Sequence, residues 1–265
     1  MSISLAINNV QTAEWFTSIF QHARLFTEHM NIMFEPNRMY IQSMDATRVS
    51  IFEVYLPAEW FCKYEHSGDS TVTIGVHSTM LFKILNTREK NQSLNIKFNS
   101  NDDEKLYLHF NSEDKTVFDK NFEMPLMDIE NELMAIPESD SDAEFSISSA
   151  NFANIVNQMK LFGDTIEINC SEEIVELLSI SQEAGKMTVN IDIDELTSYS
   201  INEGEQLHLS FSLHILHNIC QYNKISKEME IHLKENFPLK LIYHLGNNVP
   251  GAKLVFYLAP KIEDN

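Results

Sequence analysis

The chain has 265 residues, of which 39 are acidic and 19 are Lys or Arg, so its formal net charge is −20 at pH 7. This charge argues against a protein that coats nucleic acid over its whole surface. The lack of an apolar run of about 18 residues argues against a membrane span, and no secretory signal pattern opens the chain. Three scattered cysteines indicate a reducing, intracellular compartment. No nucleotide-binding, metalloprotease or hydrolase motif occurs, so we expect no enzymatic activity.

The first half opens with an alternating run, Ile3 to Ile7, typical of a strand. Apolar residues at spacings of three and four then predict two helices, near Gln11–Phe26 and His77–Asn86. In the second helix the apolar face includes Met80 and Leu85. Strand-like composition marks the remaining segments of this half: Asn31–Phe34, Arg38–Gln42, Arg48–Leu56, Leu94–Phe98, Lys105–Phe110 and Lys115–Phe122.

The second half repeats this order. A short strand at Phe145–Ile147 precedes a predicted helix, Ser149–Phe162, and a further helix is predicted at Ser212–Tyr222. The other segments read as strands: Thr165–Asn169, Val175–Ser181, Lys186–Ile193, Glu228–Leu233, Leu239–His244 and Lys253–Leu258. The order of strand, helix, three strands, helix, three strands therefore occurs twice. This duplication predicts an α+β fold built from two tandem copies of one unit.

The segment Glu123–Glu138, EMPLMDIENELMAIPE, lies between the two copies. Its apolar residues follow neither strand nor helix periodicity, and each of its prolines restricts the preceding residue to extended geometry. We expect a first domain over residues 1–122, a connecting strap over 123–142 and a second domain over 143–265. The strap is either a plain connector or a connector that also lines a docking site.

Two clusters have alternative interpretations. His214, His217 and Cys220 are three residues apart on one helix and could bind a metal, but successive steps of three rotate around the helix, so exposed polar-face histidines are the other interpretation. The acidic residues Asp140, Asp142 and Glu144 could bind a cation or form a solvated loop. We expect no metal at either place and no cofactor.

The predicted helices carry few acidic residues. Arg24, Lys83 and Lys160 stand against one acid, Glu14, a sum of +2 that leaves −22 on the rest of the chain. Such a distribution is typical of one face that meets a polyanion. Because the absolute charge is small, chance in four short helices is the alternative.

Several segments closely resemble the proliferating cell nuclear antigen family, the eukaryotic-type sliding clamps. They run in the same order over essentially the whole chain: IQSMDATRVSI (Ile41–Ile51), TIGVHSTMLFKIL (Thr73–Leu85), the strap, SANFANIVNQMKLFGD (Ser149–Asp164), LSFSLHILHNI (Leu209–Ile219) and FYLAPKIED (Phe256–Asp264).

The resemblance implies a homotrimeric ring whose helices line a channel around duplex DNA, with the sheets outside. It implies sequence-independent DNA contact, processivity for a DNA polymerase, loading by a clamp loader and docking of replication and repair proteins. The alternative within this class is a clamp that is not a homotrimer, or a subunit of a heteromeric checkpoint-type ring. The expected location is the nucleus or, since the sequence is divergent, a cytoplasmic viral replication site.

The resemblance also implies a pocket for partner peptides that carry a Gln, an aliphatic residue and two aromatics. Arg48 stands where the family usually has a histidine, and Pro125 where it has a lysine, so partner preference is expected to differ. The implied pocket residues are Met44, Arg48, Val49, Ile51, Met134, Ile136, Pro238, Tyr257, Ala259 and Pro260.

The DNA-facing positions hold fewer Lys and Arg than the family usually has there. The histidines among them would add positive charge, but only below about pH 6.5. The resemblance places the following residues there: Thr17, Ser18, Arg24, Lys83, Asn86, Asn154, Asn157, Lys160, His214, His217 and Gln221. It also implies that edge strands of neighbouring subunits pair. The implied interface residues are Thr116, Phe118, Lys120, Phe122, Lys186, Thr188 and Asn190.

Overall fold

A computed structural model describes residues 2–100, 104–114, 116–130, 133–137, 139–246 and 249–261. Contacts within the chain divide it into two units, each assembled from three stretches. The first unit comprises Met1–Ala46, Glu53–Met134 and Leu245–Lys253. The second unit comprises Thr47–Phe52, Ala135–His244 and Leu254–Asn265.

The first half of the chain forms antiparallel strands and two helices. Five of the strands are hydrogen-bonded in the order β5-β1-β7-β8-β9, and the other four are hydrogen-bonded in the order β4-β3-β2-β6. The elements are β1 (Ser2–Ile7), α1 (Val10–Ala23), β2 (His29–Glu35), β3 (Arg38–Met44), β4 (Ser50–Pro57), β5 (Lys63–His66), β6 (Val72–His77), α2 (Ser78–Leu85), β7 (Ser93–Asn99), β8 (Lys105–Asn111) and β9 (Lys120–Pro125).

The second half repeats this topology. Its strand orders are β14-β10-β16-β17-β18 and β13-β12-β11-β15, so each strand corresponds to the one nine places earlier. The duplicated α+β architecture predicted from the sequence is confirmed. The elements are β10 (Ala143–Ser148), α3 (Ser149–Met159), β11 (Thr165–Cys170), β12 (Ile174–Ser181), β13 (Gly185–Asp192), β14 (Ser198–Ile201), β15 (Leu207–Ser212), α4 (Leu213–Cys220), β16 (Glu228–Leu233), β17 (Leu239–His244) and β18 (Lys253–Leu258).

In each unit the two helices lie side by side on a sheet. α1 packs beside α2 and against β1 and β7, and α3 packs beside α4 and against β10 and β16. The apolar stripe of α1 is buried, including Phe16 and Phe20, whose rings meet edge to face 5.1 Å apart. Asn9 caps this helix by accepting a hydrogen bond from the Thr12 N–H at 3.0 Å. One face of each helix is thereby fixed, and the opposite face is left for solvent or a partner. None of the described helices is long and apolar enough to cross a membrane.

The structure has five strands between the two helices of each half, two more than the three that the sequence pattern predicts. β5 and β14 are four residues long and half-exposed, so they carry little apolar pattern. β6 and β15 lead into the following helix without an intervening loop.

Three further predictions were wrong in detail. The strand expected over Lys115–Phe122 begins only at Lys120, because pairing with β8 starts there; residue 115 lies outside the described residues. Met80 is 46% exposed instead of buried, because Leu81 and Leu85 form the inner side of α2. The first and third helices are shorter than expected, since both end in turns after Ala23 and Met159.

Candidate nucleic-acid and partner-binding surfaces

The first unit carries five of the predicted DNA-facing residues on or just after its helices. The two cations among them have different environments. Arg24 follows the last residue of α1, where its Nε donates to the Gln21 carbonyl at 2.8 Å and its guanidinium lies 4.9 Å from the centre of the Phe82 ring. Lys83 is exposed on α2. The full set is Thr17, Ser18, Arg24, Lys83 and Asn86.

The second unit carries the other six, on or just after α3 and α4. Lys160 and His214 are exposed, whereas His217 is half-buried and its carbonyl accepts from Gln221 Nε2 at 3.2 Å. Burial, and then the neighbouring Lys160 and His214, lower the pKa of His217 below its ordinary value. The expectation that these histidines gain charge below about pH 6.5 therefore shifts to lower pH for His217. The set is Asn154, Asn157, Lys160, His214, His217 and Gln221.

The low acid content predicted for the helices is present in the structure, with one refinement. Lys83 and Glu14 lie within helices, whereas Arg24 and Lys160 are the C-terminal capping residues of α1 and α3. Cations at helix C-termini are favoured by the helix dipole. None of the four α-helices of the described residues has an acid in its first turn. A negatively charged ligand would therefore meet little repulsion from them.

Eight of the ten residues implied for the peptide pocket belong to the second unit, and three of them, Tyr257, Ala259 and Pro260, lie at or just after the end of β18. The Ala259 N–H donates to the Val49 carbonyl at 2.9 Å, and the Lys261 N–H donates to the Ser210 carbonyl at 2.7 Å, so the segment after β18 is fixed at Ala259 and at Lys261. Arg48 has a φ of 61°, a left-handed conformation that turns the chain just before Val49. Ile51, Ile136, Tyr257 and Pro260 are half-buried, and Arg48, Val49, Pro238 and Ala259 are exposed.

The first unit holds Met44 and Met134, both half-buried. Met134 belongs to the strap and is anchored through its backbone. Its N–H donates to Gln42 Oε1 at 2.8 Å, and its carbonyl accepts from Gln42 Nε2 at 3.0 Å. The Gln42 amide therefore binds the strap in the way a neighbouring strand would.

Two more contacts hold the strap against the strands. Asn31 on β2 donates through Nδ2 to the carbonyls of Ile129 and Glu130 at 3.2 and 3.4 Å. Met127 forms an isolated antiparallel bridge with Gly75 on β6, its N–H lying 2.9 Å from the Gly75 carbonyl. β6, β2 and β3 each supply one anchor, so the strap's path is fixed by residues that the sequence analysis did not select.

A buried carboxylate orients the Gln42 anchor. Glu53 is 5% exposed and accepts from the Tyr40 hydroxyl at 2.5 Å and from Gln42 Nε2 at 3.3 Å. Burial, followed by this hydrogen bond, raises the pKa of Tyr40 well above its ordinary value. Burial and the nearby Glu53 charge raise the pKa of Tyr55 to about 12. Both tyrosines therefore stay protonated near neutral pH, and Tyr40 remains a hydrogen-bond donor to Glu53.

The two strands expected at the subunit interface stand at ends of their strand orders. β9 is last after β8, and β13 is last beside β12. Phe118, just before β9, is 82% exposed although its carbonyl accepts from the buried Gln92 side chain at 2.9 Å. Lys120 is engaged within its own unit, 2.9 Å from Glu89. The other implied positions are half-buried or exposed: Thr116, Phe122, Lys186, Thr188 and Asn190.

The second unit has exposed apolar residues close to β13. Leu161, after α3, is 74% exposed, and Ile180 on β12 is 59% exposed. Ile180 lies opposite Lys186 in the β12–β13 ladder. Gly163 passes so close to Ile180 that a Cβ on it would lie 2.7 Å from the Ile180 carbonyl oxygen. The apolar periodicity of the sequence does not identify Leu161 and Ile180 as candidate binding residues.

Among the described residues, neither of the two clusters with alternative interpretations brings three ligand atoms within 4.8 Å of one another. Cys220 is buried, and burial raises the pKa of its thiol, whereas His214 on the same helix is exposed. In the acidic run, Asp142 accepts a backbone hydrogen bond from Glu235 at 2.9 Å, and Glu144 lies 3.2 Å from His232. These partners indicate a structural role for Asp142 and Glu144.

Comparison with known proteins gives matches over nearly the whole chain. Residues 8–133 match the family model described as Proliferating cell nuclear antigen, N-terminal domain, and residues 135–261 match the model of the C-terminal domain. A protein named Proliferating cell nuclear antigen from Chaetomium thermophilum is 29% identical over 85% of this chain and 86% of its own length. One of the same name from Dictyostelium discoideum is 27% identical over 95% of this chain and 97% of its own.

Proposed function

Because this chain belongs to the proliferating cell nuclear antigen family of DNA sliding clamps, we propose that it encircles duplex DNA as a closed ring and confers processivity on a DNA polymerase. The observation that carries this proposal is the low acid content of the four α-helices in a chain of net charge −20. We propose that the helix faces with Lys83 and Lys160 meet the phosphate backbone and that the acidic remainder faces away. The chain has no proposed catalytic step of its own.

A closed ring stays on DNA because it surrounds the duplex, so it needs few cations to contact the phosphates. Each Lys or Arg that neutralises a phosphate releases counterions and steepens the salt dependence of binding. A clamp held by a closed ring needs no tight phosphate contacts, and tight contacts would oppose sliding. Arg24, Lys83 and Lys160 are the strong cations on or capping the described α-helices of each chain, so we expect weak, sequence-independent contact that depends only shallowly on salt.

A threading experiment tests this function. The protein is incubated with linear duplex DNA biotinylated at both ends, streptavidin is added to block the ends, and the complex is separated by gel filtration in high salt. We expect co-elution with blocked DNA and release after a restriction enzyme cuts between the blocks. Streptavidin added before the protein should prevent co-elution. Protein that stays on the cut DNA, or that never co-elutes with blocked DNA, would contradict encirclement.

We further propose that the end of β18 receives partner peptides of the polymerase, the clamp loader and other replication or repair proteins. Val49, Ile51 and Tyr257 offer apolar surface beside a backbone fixed by the Ala259–Val49 hydrogen bond. Burying three peptide side chains contributes roughly 5–9 kcal/mol, and ordering a free peptide offsets several of these. Micromolar affinity follows, which suits partners that exchange.

For ring closure we propose that β9 of one subunit pairs with β13 of the next. Pairing satisfies two strand edges that are otherwise open. Phe118, just before β9, and Ile180, opposite Lys186 of β13, are exposed apolar residues, which supports the arrangement because exposed apolar groups typically mark a partner surface. We propose a homotrimer. A non-trimeric or heteromeric ring would use the same two edges and is distinguished by mass.

We propose a nuclear location, or a cytoplasmic viral replication site. Both are intracellular compartments in which Cys62, Cys170 and Cys220 stay reduced, as they are in the structure. The choice between them follows from the polymerase served.

A further inference from the structure

A cluster of Glu28, His29 and His77 lies where β2 begins and β6 ends, and one potential ligand atom from each residue lies within 4.8 Å of the others. We propose that it binds a divalent transition metal of the Zn²⁺ type, with a solvent molecule completing the coordination. This inference is independent of the proposed clamp function, since it requires neither DNA nor a second subunit.

The distances fit tetrahedral coordination. His77 Nε2 and Glu28 Oε1 are 3.3 Å apart, and two ligands about 2.1 Å from a tetrahedral Zn²⁺ are about 3.4 Å apart. The His29 and His77 ring centres are 5.2 Å apart, against about 5.2 Å for two imidazoles on one tetrahedral Zn²⁺. The three ligand atoms lie within 4.8 Å of one another, so closure around one ion requires at most a small shift, which the exposed Glu28 side chain can provide.

The backbone holds these residues together before any metal arrives. His29 and His77 are direct partners in the antiparallel β2–β6 ladder. Ser78 donates to the Glu28 carbonyl through its N–H at 2.9 Å and through its hydroxyl at 3.0 Å. The Thr27 hydroxyl donates to the His29 carbonyl at 2.7 Å. Preorganised ligands lower the entropic cost of binding.

The donor set selects the class of metal. Two imidazoles and one carboxylate suit Zn²⁺ and similar transition ions, whereas Mg²⁺ and Ca²⁺ prefer oxygen ligands alone. The charge of −20 attracts any cation.

Two features weaken the site. His77 Nδ1 is buried without a hydrogen-bond partner, and lack of such a supporting bond typically costs about 10–100-fold in affinity. The N-terminus of α2, which His77 caps, carries partial positive charge. We therefore expect a micromolar site.

Because of the position of the cluster, a bound metal should stabilise the folded first unit. β6 runs directly into α2, so a metal shared by Glu28, His29 and His77 would tie the start of β2 to the start of that helix. A ligand that binds only the folded state stabilises it by mass action. Zn²⁺ should therefore raise the unfolding temperature of the first unit.

The test is isothermal titration of untagged, full-length protein with ZnCl₂, with thermal unfolding in parallel. We expect one Zn²⁺ per chain, at least tenfold weaker binding in His29→Asn and in His77→Asn, and loss of the Zn²⁺-induced rise in Tm. Glu28→Gln changes an exposed side chain and keeps the test valid if a histidine variant folds poorly.

His244→Asn is the matched control, because His244 lies 2.8 Å from Glu230 in a separate histidine–carboxylate group of the second unit. It should bind Zn²⁺ as the unaltered chain does. No stoichiometric binding, equal binding of Mg²⁺, or unchanged Zn²⁺ affinity in the His29→Asn/His77→Asn double variant would overturn the proposal. Threading on DNA can fail or succeed without affecting any of these readouts.

Discussion

At the scale of single residues, Gly75 shows how the absence of a side chain can determine the path of the strap. A Cβ at this position would lie 2.3 Å from the Met127 carbonyl oxygen and 2.9 Å from the Ile129 side chain. Only a residue without a side chain lets the strap approach β6 so closely. Asn31 and Gln42 supply the polar anchors, but the sequence does not mark either as an anchor, because their strap partners lie far away in sequence. Sequence reasoning therefore identified the strap without its attachment.

We predict that Gly75→Ala displaces the strap and destabilises the protein by about 1–3 kcal/mol, the usual range for overpacking. Urea denaturation measures the loss, and limited proteolysis within residues 126–137 should become faster. Thr73→Ala is the control, since Thr73 is an exposed residue of the same strand. Equal proteolysis rates in Gly75→Ala and the unaltered chain would show that the strap tolerates the Cβ.

At the scale of elements, the predictable features were those carried by local periodicity. The helix positions were predicted because an apolar stripe recurs at spacings of three and four, and most strands because apolar residues alternate. β5 and β6 were missed because β5 is short and polar, while His77, the last residue of β6, was assigned to the next helix. The pairing of His29 with His77 depends on β6, so the proposed metal site could not be derived from the sequence.

The end of β18 carries the prediction for peptide docking. Tyr257→Ala should weaken binding of a labelled peptide with a Gln, an aliphatic residue and two aromatics by at least tenfold, and Ile136→Ala with Tyr257→Ala should abolish it. The reason is lost apolar contact, about 1.5–3 kcal/mol for each buried side chain. Fluorescence anisotropy gives the affinities. Tyr107→Ala, at a half-buried tyrosine of β8, should bind normally; unchanged affinity in the double variant would refute the pocket.

At the scale of the whole molecule, the duplication organises the proposed ring. Because both halves share one topology, β9 and β18 occupy corresponding places, as do β4 and β13. In the strand orders of the described residues, β9 and β13 each stand at an end. The duplication was predictable from the sequence, but the exposure of Phe118, Leu161 and Ile180 was not, since apolar residues in a sequence are expected to be buried.

The ring predicts the response to Phe118→Asp. The unaltered protein should sediment with a mass three times the 30.6 kDa of one chain, whereas the variant should dissociate into single chains. A carboxylate in this contact removes about 1.5–3 kcal/mol of apolar burial per interface and adds a charge to an acidic surface. The fold should survive, because Phe118 is already 82% exposed in the single chain.

Analytical ultracentrifugation at micromolar concentration measures the mass, and circular dichroism checks the fold. Leu25→Asp, at another exposed apolar residue, which follows α1 and belongs to neither β9 nor β13, should keep the mass of the unaltered chain. A Phe118→Asp variant that also keeps it would exclude Phe118 from the interface, whereas a monomeric unaltered chain would exclude the homomeric ring.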